Sequence, residues 1–117
     1  MIDTSKILIP RADIEAARDR ATDFIRRAGA MSGFDIEDMD KLVGAINETP
    51  INPRLVPTGV VVYLLSAREM IFKALPQYRH LMVWILIPLQ IELSKLPGVG
   101  QEIERMVSDA ERRAKQE

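Results

Sequence analysis

His80 is the single histidine of the chain, and histidine is the residue type that most often transfers protons in active sites. A general base also needs a nucleophile and an acid that orients it. The neighbouring Tyr78 and Arg79 do not complete such a set, and the sequence offers no other. We therefore expect His80 at a helix start or on the surface, without a catalytic role.

Four acids lie close together and could suggest a cation site: Asp35, Glu37, Asp38 and Asp40. An EF-hand loop requires glycine at its sixth position. That position is Asp40 when counted from Asp35, and Val43 when counted from Asp38. Acids are also favoured in the first turn of a helix, because the helix N-terminus carries partial positive charge. The cluster therefore predicts a helix start and no metal site.

The usual catalytic and cofactor motifs are absent from the sequence. It contains no cysteine, no GxxxxGK[ST] phosphate loop, no GxGxxG dinucleotide loop and no GxSxG nucleophile turn. We accordingly expect no catalytic residues, no metal, no cofactor and no enzymatic activity.

One local motif does carry a possible chemistry, the segment LSKLPGVGQEIERM at residues 93–106. It resembles the hairpin of helix-hairpin-helix DNA-binding proteins, whose turn reads hydrophobic-Pro-Gly-hydrophobic-Gly. The resemblance implies a turn that binds a backbone phosphate, consistent with anion binding at helix starts; its residues here would be Lys95, Gly98, Val99 and Gly100. The family usually has a basic and a small residue after the second glycine, whereas this chain has Glu102 and Glu104. Because these carboxylates would repel phosphate, a plain turn between two helices is the preferred interpretation.

Composition excludes several broad classes. The 117 residues carry 16 basic and 17 acidic side chains, a net charge of −1, unlike a general binder of nucleic acids or anionic membranes. This length is typical of one domain. The start has no signal-peptide pattern, and no apolar stretch reaches the ~20 residues of a membrane span. A cytoplasmic location is therefore expected.

The apolar spacing predicts helices in the first part of the chain. A helical stripe runs from Ile14 to Ala28, Pro10 suits the first helical position, and residues 1–9 are expected to form an extended arm. A second helix is predicted from near Asp35 to Asn47–Thr49. Residues 49–57 then hold three prolines and predict a connection without helix, which could be a hinge between a 1–48 helical pair and residues 58–117.

The second part of the chain is more ambiguous. Helices are predicted from Thr58 to about Leu75, from Pro76 to Leu96 with a kink at Pro88, and from about Gln101 onward. Segments 60–65 and 81–87 could alternatively be strands, because they are rich in apolar and β-branched residues. The preferred fold is all-α, with four to five helices in one bundle-like domain.

The region 59–96 is strongly apolar, with only four basic and two acidic residues between 59 and 100. We expect this apolar surface to exceed what one small domain can bury, which predicts a protein-interaction or assembly module that self-associates or binds another protein. The candidate interaction residues are Tyr63, Phe72, Leu81, Trp84 and Ile85; whether Trp84 lies in the core or at an interface stays open. The alternative is a nucleic-acid-associated protein that uses the turn at 95–101 and a basic helix face formed by Arg18, Arg20, Arg26 and Arg27.

Overall fold

The computed structural model describes residues 3–116, and within them five α-helices form one all-α bundle, as predicted. The helices are α1 (Arg11–Met31), α2 (Ile36–Glu48), α3 (Pro57–Ala74), α4 (Met82–Ser94) and α5 (Val99–Gln116). Two short 3₁₀ helices, Thr4–Lys6 and Pro76–Leu81, precede α1 and α4. Two strands of two residues each, β1 (Ile9–Pro10) and β2 (Arg54–Leu55), complete the chain.

The turn between α1 and α2 is formed by a glycine in a left-handed conformation and an aspartate that caps α2. Gly33 has a φ of 72°, a left-handed conformation that glycine adopts without steric cost. The Asp35 carboxylate then accepts hydrogen bonds from the backbone amides of Glu37 at 2.8 Å and Asp38 at 3.3 Å. The acidic cluster therefore contains the N-cap and the first turn of α2, which confirms its interpretation as a helix start.

The connection at 49–57 contains no helix until Pro57, as expected, but it is well anchored. Thr49 is buried and donates its hydroxyl to the Ala45 carbonyl at 3.0 Å. Strand β2 pairs antiparallel with β1, and the Arg11 amide donates to the Pro53 carbonyl at 3.2 Å. The N-terminal segment is therefore not a simple extended arm, because part of it pairs with this connection.

The strand alternatives for 60–65 and 81–87 are wrong, because both segments are helical apart from Leu81, the last residue of a 3₁₀ helix. Helix α4 continues through Pro88, whose ring lacks the amide that would bond to the Trp84 carbonyl. Three predicted helix starts differ from the observed ones. Pro76 opens a 3₁₀ helix, Val56 rather than Thr58 is the N-cap of α3, and α5 begins at Val99.

A single hydrophobic core joins both parts of the chain. Helix α1 packs along α4, α2 packs against α3, and the start of α5 packs against α3 and α4. The fully buried aliphatic side chains come from all five helices and include Ile14, Ile46, Val60, Ile71, Leu89, Leu93 and Val99. This core therefore contains side chains from both residues 3–48 and residues 58–116.

Candidate functional site

Helix α4 is apolar on every side over residues 82–89, yet only one side of it is buried. Met82, Leu86, Leu89 and Leu93 recur at helical spacing and point into the core. A helix that is apolar all round is normally enclosed on all sides. The uncovered outer side of α4 is therefore the least expected feature of the surface.

The exposed apolar side chains of α4 continue onto α1. Trp84 is 71% exposed, Ile91 is 51% exposed, and Phe24 of α1 is 54% exposed. Two adjoining apolar grooves, of about 260 Å³ and 360 Å³, share Phe24 and Pro88 in their walls. We call this surface the α1–α4 face; its members are Phe24, Leu81, Trp84, Ile87, Pro88 and Ile91.

The charges beside this face form one ion cluster, in which two cations share one carboxylate. Arg20 donates from Nε to Glu92 Oε2 at 2.8 Å, and Lys95 donates from Nζ to Glu92 Oε1 at 3.1 Å. The hydrogen bond from Arg20 and, to a smaller extent, the one from Lys95 lower the pKa of Glu92 below its ordinary value. The edge of the α1–α4 face therefore carries a closed ion cluster of one carboxylate and two cations.

The five predicted interaction residues fall into two groups. Leu81, Trp84 and Ile85 line the same groove of the α1–α4 face. Tyr63 is only 3% exposed and belongs to the core, and Phe72 is partly buried beneath the guanidinium groups of Arg68 and Arg79. The structure thus brings three of the five together and places the other two elsewhere.

Phe24 and Ile91 belong to the α1–α4 face but were not among the predicted site residues. Phe24 lies beside Ile25 in the apolar stripe of α1, and only Ile25 is buried. The sequence feature that could have identified Phe24 is the adjacent pair Phe24 and Ile25 in the apolar stripe, because the buried side of α1 uses only one of the two.

The turn at 95–101 is packed against the N-terminal segment. Gly98 has a φ of 77°, and a Cβ atom there would lie 3.0 Å from both Ile7 Cδ1 and Pro57 Cγ. Val99 is buried and Lys95 is paired with Glu92. Glu102 in the first turn of α5 is buried, where its carboxylate accepts from Thr4 Oγ1 and pairs with Arg105. The partial positive charge at the N-terminus of α5 is therefore already compensated by the carboxylate of Glu102.

The proposed basic helix face is also occupied by internal ion pairs. Arg18 lies 3.5 Å from Asp19, Arg26 lies 3.0 Å from Asp40, and Arg27 lies 2.8 Å from Asp23, while Arg20 is held by Glu92. These four side chains come from one helix, but each is directed to an acid rather than to a common ligand.

In the described part of the chain, His80 is exposed on the second 3₁₀ helix, and no three histidine, aspartate or glutamate residues cluster as metal ligands would. No helix within residues 3–116 is both long and apolar enough to cross a bilayer.

Comparisons of the chain with protein-family models, curated proteins and solved structures found no match.

Proposed function

We propose that this chain is a non-enzymatic assembly module that self-associates through the α1–α4 face. The observation that carries the proposal is the exposure of Trp84 within a helical segment, residues 82–89, that is apolar on all sides. Tryptophan is enriched among the residues that dominate binding energy, and it contributes most when it is central and becomes desolvated. Trp84 lies in α4 between Leu81, which precedes the helix, and Pro88, and it lines one groove together with Phe24.

The extent of the surface supports a stable interface. An aromatic side chain offers on the order of 150–250 Å², so Trp84 and Phe24 alone leave roughly 200–250 Å² uncovered. The aliphatic members enlarge the patch toward the ~300–600 Å² of the largest apolar patches on monomers, which are often functional. Each partner in a standard interface buries ~800 Å², so surrounding polar residues would supply the rest of the contact.

A second copy of the same face is the partner that its chemistry favours. The nearest charges, Arg20, Glu92 and Lys95, are paired within the chain and sum to only +1, so apolar contact rather than charge dominates this face. Two identical apolar patches can meet about a two-fold axis, which is the commonest symmetry of homo-oligomers. The cytoplasm stays the expected location, since a chain without cysteine needs no oxidising compartment.

The test is light scattering of the purified chain across a concentration series. We expect a particle mass of at least twice 13.2 kDa at tens of micromolar. Trp84→Glu should return the chain to a monomer, because a charge would then have to be buried at the interface. Leu8→Glu is the matched control, since Leu8 is also exposed but lies outside both grooves. A wild-type monomer at high micromolar concentration would contradict the proposal.

A further inference from the structure

We propose that a second surface, the groove between α3 and α4, binds an amphipathic anion that has a carboxylate or phosphate head and an unbranched alkyl tail. This groove is defined by Leu65, Arg68, Phe72, Arg79, Val83 and Leu86 and has a volume of about 340 Å³. It lies on the α3 side of α4, and none of its residues belongs to the α1–α4 face. The inference does not depend on self-association.

The walls of this groove are apolar and open to solvent. Val83 is 75% exposed and Leu65 is 41% exposed, while Leu86 in the same lining is buried. The volume falls within the ~300–1,000 Å³ range of small-molecule sites. An alkyl chain that lies against these walls would be removed from water. Each buried methylene would raise the affinity by up to about fourfold.

Two guanidinium groups in the lining of the groove stack on one aromatic ring. Arg68 Cζ is 5.0 Å from the centroid of Phe72, and Arg79 Cζ is 5.5 Å from the same centroid. Stacking on one ring orients both groups and keeps their Cζ atoms within about 10.5 Å of each other. An anionic head beside this ring could accept hydrogen bonds from either guanidinium group and would offset part of their positive charge.

Neither of these arginines is engaged by an acid in the part of the chain that the structure describes. No carboxylate oxygen there lies within 4.0 Å of Arg68 or Arg79, whereas Arg20, Arg26 and Arg27 each have such a partner. The only acid between residues 59 and 91 is Glu69. The groove therefore has positive charge at its mouth that is not neutralised by an ion pair.

The distribution of polarity selects an amphiphile over other ligands. The lining holds two cations, Arg68 and Arg79, and one uncharged polar side chain, Gln90, and its other members are apolar. A free phosphate would leave the apolar wall uncovered. An extended peptide would bring backbone amides against a wall with few partners for them, at a cost in free energy that an alkyl chain does not incur.

The test is isothermal titration of the whole chain with hexanoate, octanoate and decanoate, each below its micelle concentration. We expect one saturable site with an affinity that rises with tail length, by up to about fourfold per methylene. Decyl phosphate should bind as decanoate does. Inorganic phosphate and decanol, which lack the tail and the charge respectively, should each bind at least tenfold more weakly.

Variants separate this groove from the rest of the surface. The double variant Arg68→Gln and Arg79→Gln should weaken decanoate binding tenfold or more, because hydrogen bonds to charged groups are lost. Arg112→Gln is the matched control, since Arg112 is exposed on α5 and also has no acid within 4.0 Å in residues 3–116. Trp84→Ser should leave decanoate binding unchanged, because Trp84 does not line this groove.

Three results would overturn the inference. They are the absence of saturable decanoate binding, binding that the arginine double variant leaves unchanged, and binding that only Trp84→Ser abolishes. Preferential binding of an acidic peptide over decanoate would also overturn it and would assign the groove to a protein ligand. Because the readout is ligand binding, each of these outcomes is independent of the particle mass that tests self-association.

Discussion

Thr4 donates a hydrogen bond of 2.6 Å to Glu102, 98 positions later in the chain. The bond closes the N-terminal 3₁₀ helix onto the first turn of α5, and Glu102 is buried beneath it. Arg105 also pairs with this carboxylate at 3.0 Å. The Glu102 carboxylate therefore binds Thr4 and Arg105 at the helix start where a phosphate would approach the turn.

Replacing Thr4 should therefore destabilise the fold. Thr4→Val leaves the buried Glu102 with one donor fewer, and we expect the free energy of unfolding to fall by about 1–2 kcal/mol. Urea denaturation measures this change. Thr58→Val is the matched control, because Thr58 is exposed in the first turn of α3 and should change stability little. Equal stability of the two variants would show that the Thr4 hydroxyl contributes nothing in solution.

The packed turn also predicts the outcome of a DNA titration. Glu102 and Thr4 occupy the α5 start, and Lys95 is engaged by Glu92, so the chain should show negligible affinity for duplex DNA at physiological salt. Fluorescence anisotropy at two salt concentrations provides the measurement. Tight binding that weakens steeply with salt would contradict this expectation and would favour the nucleic-acid alternative.

Two tests of stability distinguish the outer side of α4 from its inner side. Trp84→Ser should change the free energy of unfolding by less than about 0.5 kcal/mol in the monomer, because the ring is exposed. Leu89→Ala should cost about 2–5 kcal/mol, because Leu89 is fully buried. Both are measured by urea denaturation at low protein concentration, where association does not add to stability. A large loss from Trp84→Ser would place that side chain in the core.

Two glycines should respond to alanine in opposite directions. Gly98→Ala should destabilise the chain by about 1–3 kcal/mol, because its φ is 77° and the new methyl group would crowd Pro57 and Ile7. Gly44→Ala should stabilise it by about 0.5–1 kcal/mol, because Gly44 lies within α2 and has open space around its Cβ position. Thermal denaturation compares the pair. A Gly98→Ala protein as stable as wild type would contradict the observed turn.

Tyr63 predicts a stability loss in alkali. Burial, offset in part by Arg18, raises its pKa from 10.0 to about 12. The unfolded chain therefore loses this proton first, and stability should fall by up to about 1.4 kcal/mol per pH unit between about pH 10 and 12, while the contribution is fully present below pH 10.

Tyr63→Phe provides the measurement for this residue. The Tyr63 hydroxyl is buried without a hydrogen-bond partner among the described residues, so its removal should leave stability at neutral pH unchanged or raise it by about 1 kcal/mol. The variant should also show a shallower alkaline decline than wild type, measured by denaturation from pH 9 to 12. A loss of more than 1 kcal/mol at neutral pH would mean that the hydroxyl is bonded after all.

Local features of this chain could be predicted because their causes are local. The start of α2 near Asp35 and the absence of helix after Thr49 each depend on residues within one turn of the chain. Amphipathic stripes predicted α1 and α2 for the same reason, since their polar faces mark the solvent side. The two strands were missed because a pair only two residues long leaves almost no period-two pattern to detect.

The candidate sites depended on tertiary packing. Residues 82–89 of α4 are all apolar, so the sequence pattern left helix or strand open and contains no information about which side faces the core. Only the positions of α1 and α3 decided that Leu89 is buried while Trp84 is exposed. Likewise, the stacking of Arg68 and Arg79 on Phe72 joins residues from α3 and from the 3₁₀ helix before α4, and such a juxtaposition arises only when the two segments pack together.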